Sequence, residues 1–231
     1  MKAAMGLAFW AALTIVGAAQ QPDDKVTVLY CYGGNGCQGY LTPFTYAEMD
    51  RLLNKLGTLE TEGLGRPVVF LRNNAGEHVD YVDMQRSLEQ INVLFGGTGE
   101  PHMITTYPDL DDIQPLDGNW TITMGTAAAD NCLPGVEAAM GGLKLAEAGA
   151  ITFAQPFVPD QALPGQSVSW LKLAPNRYRA ALPGSEAMFA TYDLTIDSPD
   201  SLSGLIRAVT LVPGQTPCTI TLPASYSHSG T

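Results

Sequence analysis

The chain has 231 residues, a formal net charge of −11 and only 15% charged residues. Such an acidic balance, with no basic stripe, argues against nucleic-acid binding and against attraction to anionic membrane surfaces. Gly (24) and Pro (16) are plentiful and hydrophobic content is ordinary at 45%, so the composition fits a loop-rich globular protein and excludes a disordered one.

Met1 and Lys2 precede an apolar run from Ala3 to Gly17, followed by Ala18, Ala19 and a polar stretch from Gln20 to Asp24. One positive charge, a short apolar centre and small residues before a polar segment are the three parts of a secretory signal peptide, expected over residues 1–19. The run falls short of the roughly 20 residues a bilayer span needs, and no later segment is long and apolar enough, so no membrane span is expected in the mature chain. Cleavage near Ala19 leaves about 210 residues, enough to bury a sizeable core. The expected location is therefore exported, either periplasmic or secreted. The four cysteines, Cys31, Cys37, Cys132 and Cys218, agree with an oxidising compartment and two disulfides. Three pairings are possible. Cys31–Cys37 with Cys132–Cys218 is favoured, because each pair then falls within one segment of the division that follows.

The patterning predicts an α+β chain. An α/β segment over 20–108 reads β-α-β-α-β, residues 109–117 form a linker, an antiparallel β-barrel or β-sandwich domain covers 118–225, and 226–231 is a frayed tail. In the first segment Val26–Tyr30 is β-branched and apolar, as a strand requires. A glycine-rich loop runs from Cys31 to Gly39. Thr45-Tyr46-Ala47-Glu48 has the capping-box form, and Met49, Leu52, Leu53 and Leu56 follow at helical spacing up to Gly57. Val68–Leu71 reads as a buried strand. A second helix is predicted from Tyr81 to Phe95, with Met84, Leu88, Ile91 and Phe95 on one face and Gly96-Gly97 as its stop. Met103–Tyr107 is a third strand. The linker is rich in Pro and Asp, which suit neither a helix nor a central strand.

Beyond the linker, strands are predicted at Trp120–Met124, Ile151–Phe153, Val168–Leu173, Tyr178–Leu182, Phe189–Ile196, Leu205–Val212 and Cys218–Leu222. Turn signals fall between them at Ala174-Pro175-Asn176, Leu182-Pro183-Gly184, Asp197–Asp200 and Val212-Pro213-Gly214. Short strands at near-regular spacing are the pattern of an antiparallel barrel or sandwich. One helix is expected between Val136 and Ala148.

Catalytic motifs are weak. Cys31-Tyr32-Gly33-Gly34-Asn35-Gly36-Cys37 follows a strand, as redox cysteines do, but five intervening residues do not put the first sulfur at a helix N-terminus; a small structural disulfide is the plainer reading. His78, His102 and His228 are not spaced as metal pairs, so no metal and no cofactor are implied. Glu77-His78-Val79-Asp80 reads as a polar loop. Asp109, Asp111 and Asp112 lack the glycine and distant Glu of a calcium loop and read as a solvated linker. Gly-x-Ser-x-Gly is missing, so catalytic residues stay unknown. Tyr32, Tyr40 and Phe44 surround the first disulfide, either as a contact surface or folded back on the core.

Gly118-Asn119-Trp120, opening a strand, resembles the Gly-x-Trp start of lipocalin barrels and, with a cysteine soon after, of small bacterial protease-inhibitor barrels. The resemblance rests on those residues and does not extend to the later motifs of either family. Trp120 otherwise reads as a plug at one end of a β core. Three roles follow for the whole chain. The first is an exported non-enzymatic binding or accessory protein for a small apolar ligand or a partner protein, with Trp120, Phe153, Trp170, Tyr178 and Tyr192 as ligand-lining residues. The second is an exported hydrolase. The third is a protease-inhibitor-like interaction module.

Overall fold

The computed structural model describes residues 25–32, 34–55, 57–108, 110–134, 149–163, 167–185, 188–210 and 216–230. The expected signal peptide and the expected helix between Val136 and Ala148 lie outside the described residues. The fold is mostly β and holds two sheets.

The first sheet is built from β1 (Lys25–Cys31), β2 (Gln38–Thr45), β3 (Val68–Arg72), β4 (His78–Val82) and β5 (His102–Ile104) in the order β4-β3-β1-β2-β5. Its centre is the apolar β1, parallel to β3 and antiparallel to β2. On one face lies α1 (Tyr46–Leu53), whose start follows from chemistry: the Thr45 hydroxyl accepts from the Glu48 amide and the Glu48 carboxylate accepts from the Thr45 amide. Met49 and Leu52 of this helix are buried against Val26, Val28, Tyr30 and Phe70. A single turn, α2 (Thr58–Thr61), follows. On the other face α3 (Leu88–Leu94) covers Leu29, Val69 and the disulfide Cys31–Cys37 with Ile91.

The β-α-β-α-β reading needs correction at two places: β2, antiparallel to β1 and parallel to β5, stands where no strand was predicted, and the second predicted helix is divided. The stretch predicted as a helix from Tyr81 is strand at first, because β4 completes the edge beside β3 with Val68 opposite Val82 and Arg72 opposite His78. Buried Asp83 then accepts the Gln85 and Arg86 amides and turns the chain. Ser87 and Gln90 form a second capping box, which starts α3 at Leu88, seven residues later than the periodicity suggested. His78 and Asp80 accordingly belong to a strand, not to a polar loop.

The second sheet holds eight strands: β6 (Gly118–Met124), β7 (Ala128–Asp130), β8 (Gly149–Ile151), β9 (Trp170–Ala174), β10 (Arg177–Ser185), β11 (Met188–Ser198), β12 (Ser201–Thr210) and β13 (Cys218–Gly230). The order is β8-β6-β13-β12-β11-β10-β9, with β7 also beside β13. The strands are antiparallel, but β8 and β9 end the order unpaired with each other, so the expected barrel does not close. First and last strands are nonetheless neighbours, with Tyr226 opposite Ile122 and Ile220 opposite Ala129. That pairing brings Cys132, just past β7, to Cys218 at the head of β13, and the two form the second disulfide. The tail is corrected as well. β13 runs to Gly230, and Tyr226 is buried, so residues 226–230 are paired strand where fraying was expected.

One face of this sheet carries the larger core, closed by the segment from Phe153 to Leu163. The five-stranded sheet meets the other end of the molecule along β9. Tyr30 Oη donates to the Lys172 carbonyl at 2.8 Å, Tyr107 Oη to the Trp170 carbonyl at 3.2 Å, and Leu171 is buried in the same cluster as Val28 and Leu52. Hydroxyls thus occupy carbonyls that an edge strand otherwise leaves open. The Asp-rich stretch is docked rather than solvated: Asp112 accepts from the Asn176 amide at 2.5 Å and from Tyr178 Oη at 3.0 Å, and it pairs with Lys172.

Candidate functional site

The five aromatic residues proposed to line a ligand cavity come together in space. Trp120, Phe153, Trp170, Tyr178 and Tyr192 are all buried in the larger core. Trp120 meets Phe153 at 5.7 Å between ring centroids, and Trp170 meets Tyr192 at 6.0 Å. Apart from Trp170 Nε1, which is buried with no hydrogen-bond partner among the described residues, their polar atoms are turned to structural ends. Trp120 Nε1 donates to the Leu116 carbonyl at 3.0 Å, while Tyr192 and Tyr226 hydroxyls bond at 2.6 Å and Tyr226 donates to the Ala162 carbonyl. These rings pack on one another between the sheet and the 153–163 segment. Of the other aromatic group, Phe44 is buried, and Tyr32 and Tyr40 are half-buried against the cluster under α1, so they fold back on the core.

The open space lies on the opposite face of the same sheet. Side chains alternate along a strand: Tyr178, Tyr192, Ile206 and Ile220 enter the core, which turns Arg179, Thr191, Arg207 and Thr219 to the other side. There, α1 and α2 stand over the sheet and leave a cleft with a volume of about 760 Å³. The sheet wall is Arg179, Phe189, Thr191, Arg207, Val209 and Thr219, with Pro217 at one end. The helical wall is Ala47, Asp50, Arg51 and Leu52 of α1, then Asn54, Gly57 and Glu60.

Each charged group at the cleft has a definable state. Arg179 joins the walls: Nη1 donates to the Leu52 carbonyl at 2.6 Å, Nη2 donates to Asp193 Oδ2 at 2.8 Å, and Nε contacts Asp193 Oδ1. Its fork is filled by that carboxylate and that carbonyl. Buried Asp50 accepts the Leu59 amide at 2.9 Å and the Glu60 amide at 2.7 Å, one per carboxylate oxygen, and so holds the first turn of α2 in place. Arg207 is exposed in mid-strand, opposite Thr191 on one side and Thr221 on the other. Arg51 is exposed in the last turn of α1, where a cation suits the helix dipole. The arrangement offers an apolar strip, hydroxyls and guanidinium groups within one concavity.

No known protein family, curated protein or solved structure matches the chain. Among the described residues, no group of His, Cys, Asp and Glu is placed to hold a metal ion, and no helix is long and apolar enough to cross a membrane.

None of the cleft residues was singled out from the sequence. Arg179 and Arg207 sit at outward positions of alternating strands, where a solvated face is the default reading. Only the docking of α1 over that face, through Leu52 and Arg179, makes it a cleft. The one sequence signal available was the pair of outward-facing arginines, on strands either side of β11, in a strongly acidic chain.

Proposed function

We propose that the protein is an exported, non-enzymatic binding protein that holds a small molecule in the cleft between α1–α2 and the eight-stranded sheet. The observation that carries the reading is the cleft: about 760 Å³, at the junction of two sheets, with Phe189 and Val209 as apolar floor and a few convergent polar groups. Ligand sites occur preferentially at such junctions and have volumes of roughly 300–1,000 Å³. Two disulfides fit export into an oxidising compartment. In an exported fraction, mass spectrometry is expected to find a chain starting near Gln20, and an intact Met1 there would refute cleavage of the signal peptide.

The cleft is tested with the neutral probe N-phenyl-1-naphthylamine, whose fluorescence rises in an apolar site. Saturable binding is expected, and Val209→Trp, which fills the floor, should weaken it by about tenfold or more. Val209 is half-buried at the cleft, so the variant should keep its thermal midpoint within a few degrees. Phe189→Lys serves as an independent check. Probe binding that neither variant alters would show that the site lies elsewhere.

A further inference from the structure

The guanidinium groups at the cleft are not equally spent by the fold. Arg179 gives three of its N–H groups to Asp193 and the Leu52 carbonyl, and its charge is balanced by Asp193. Arg207 has no hydrogen-bond or ion-pair partner among the described residues. Its in-register neighbours, Thr191 and Thr221, bring no charge. The carboxylate next along the ladder, Asp193, faces Leu205 and is already held by Arg179. Arg51, on the helical wall, likewise has no side-chain partner among the described residues. On the acidic side, both oxygens of Asp50 are taken by backbone amides, which leaves Glu60 as the lining carboxylate without a bond. Two unengaged cations thus face one unengaged anion, in a chain whose net charge is −11.

That local excess runs against the charge of the whole molecule. The overall field disfavours anions at long range, so an anion held here must be held by short-range bonds. A guanidinium offers parallel N–H groups that match a carboxylate, and a charge-assisted pair is worth roughly twice a neutral hydrogen bond. Between two protein walls the pair is screened less than on an open surface. Beside Arg207 the strands present Val209 and Phe189, which is surface for an apolar body and not for a small hydrated ion.

We propose that the ligand of this cleft is an apolar molecule bearing a carboxylate, with the carboxylate on Arg207 and the apolar part on Val209 and Phe189. The proposal rests on the cleft being the ligand site, and Arg51 would supply a second, weaker positive contact from the opposite wall. A medium-chain fatty acid is the simplest molecule of that chemistry.

The test displaces N-phenyl-1-naphthylamine from the full mature protein with dodecanoate and, separately, with dodecanol, both kept below their aggregation limits. Dodecanoate is expected to displace the probe at a concentration lower by about tenfold or more, as one charge-assisted pair allows. Arg207→Gln should bring the two curves together by weakening dodecanoate alone. Arg207→Lys should keep part of the preference, since it retains the charge without the fork. Because Arg207 is exposed and has no bonding partner among the described residues, both variants should unfold at the wild-type midpoint. Equal displacement by acid and alcohol, or a preference that survives Arg207→Gln, would overturn the carboxylate assignment while leaving the cleft in place. Displacement by neither, with probe binding indifferent to Val209→Trp, would remove the cleft reading and this proposal with it.

Discussion

Lys172 lies where hydrophobicity alone would put a leucine. Its side chain is 1% exposed, its Nζ donates to the Pro108 carbonyl at 2.6 Å and contacts the Asp112 carboxylate, and the Tyr178 ring centre is 5.5 Å away. A buried ammonium is tolerable only when paired and hydrogen-bonded, because desolvation otherwise dominates. Asp112 does more than balance the charge, since it also receives the Asn176 amide and the Tyr178 hydroxyl. The pair therefore fastens the Asp-rich stretch to the β9–β10 hairpin. Lys172→Met should destabilise the protein by about 3–5 kcal/mol, since it strands a carboxylate beside apolar neighbours. Lys172→Met with Asp112→Leu should cost less than the sum of the two single changes, as expected for partners in one network. Urea midpoints of the three variants measure both quantities. A Lys172→Met midpoint equal to wild type would show that the pair does not hold this seam.

At the scale of elements, β13 organises the larger sheet. It pairs with β12 along ten residues, with β6 at its far end and with β7 at its near end, and Cys218 at its head is bonded to Cys132. This disulfide spans 86 residues of sequence and the Cys31–Cys37 bond spans 6. In the chain-entropy account the long loop is worth roughly 4–5 kcal/mol and the short one about half that. Replacing Cys132 and Cys218 together by Ala should therefore lower the thermal midpoint more than replacing Cys31 and Cys37 together. Burial of the short bond beside Ile91 narrows the gap without reversing it. Calorimetry on the two double variants decides the order, and a larger fall for the Cys31/Cys37 variant would contradict it. These elements also show what patterning can and cannot convey. Two-residue alternation is strong in β10 to β13, because one face of that sheet is a dry core, and those strands were legible. The cysteine pairing was legible for a related reason: the division into two segments left one partner for each. β4 was not, since Met84, Leu88, Ile91 and Phe95 share a helical spacing that continues across a turn made by Asp83. Ser87 and Gln90, a second Ser-x-x-Gln box, were the local signal that placed the true helix start. Barrel closure was illegible in principle, because an edge strand covered by tyrosine hydroxyls has the same alternation as one covered by another strand.

Across the whole molecule, the two sheets are joined by a seam of tyrosines. Tyr40 meets Tyr107 at 5.9 Å and Tyr107 meets Tyr178 at 6.0 Å, while Tyr30 and Tyr107 donate to carbonyls of β9. Burial pushes the Tyr30, Tyr40 and Tyr107 hydroxyls above their usual range. Tyr32 is pushed up to about 12 by burial, with the nearby Arg72 opposing. In the larger core Tyr192 and Tyr226 are raised for the same reason, and so is Tyr81 on β4. All these groups hold their protons more tightly folded than unfolded. Their contribution to stability is therefore complete below the ordinary tyrosine value near 10 and is lost as pH climbs from there through the folded values, because the unfolded chain binds fewer protons than the native one. Since the Tyr30 and Tyr107 hydroxyls bridge the sheets, their ionisation and the separation of the sheets are one event. Absorbance at 295 nm and far-UV circular dichroism should accordingly change together in a step above the ordinary tyrosine range. A gradual rise in tyrosinate centred near pH 10, with the β-sheet signal intact, would mean that the seam is open to water and that the two sheets are not held together by it.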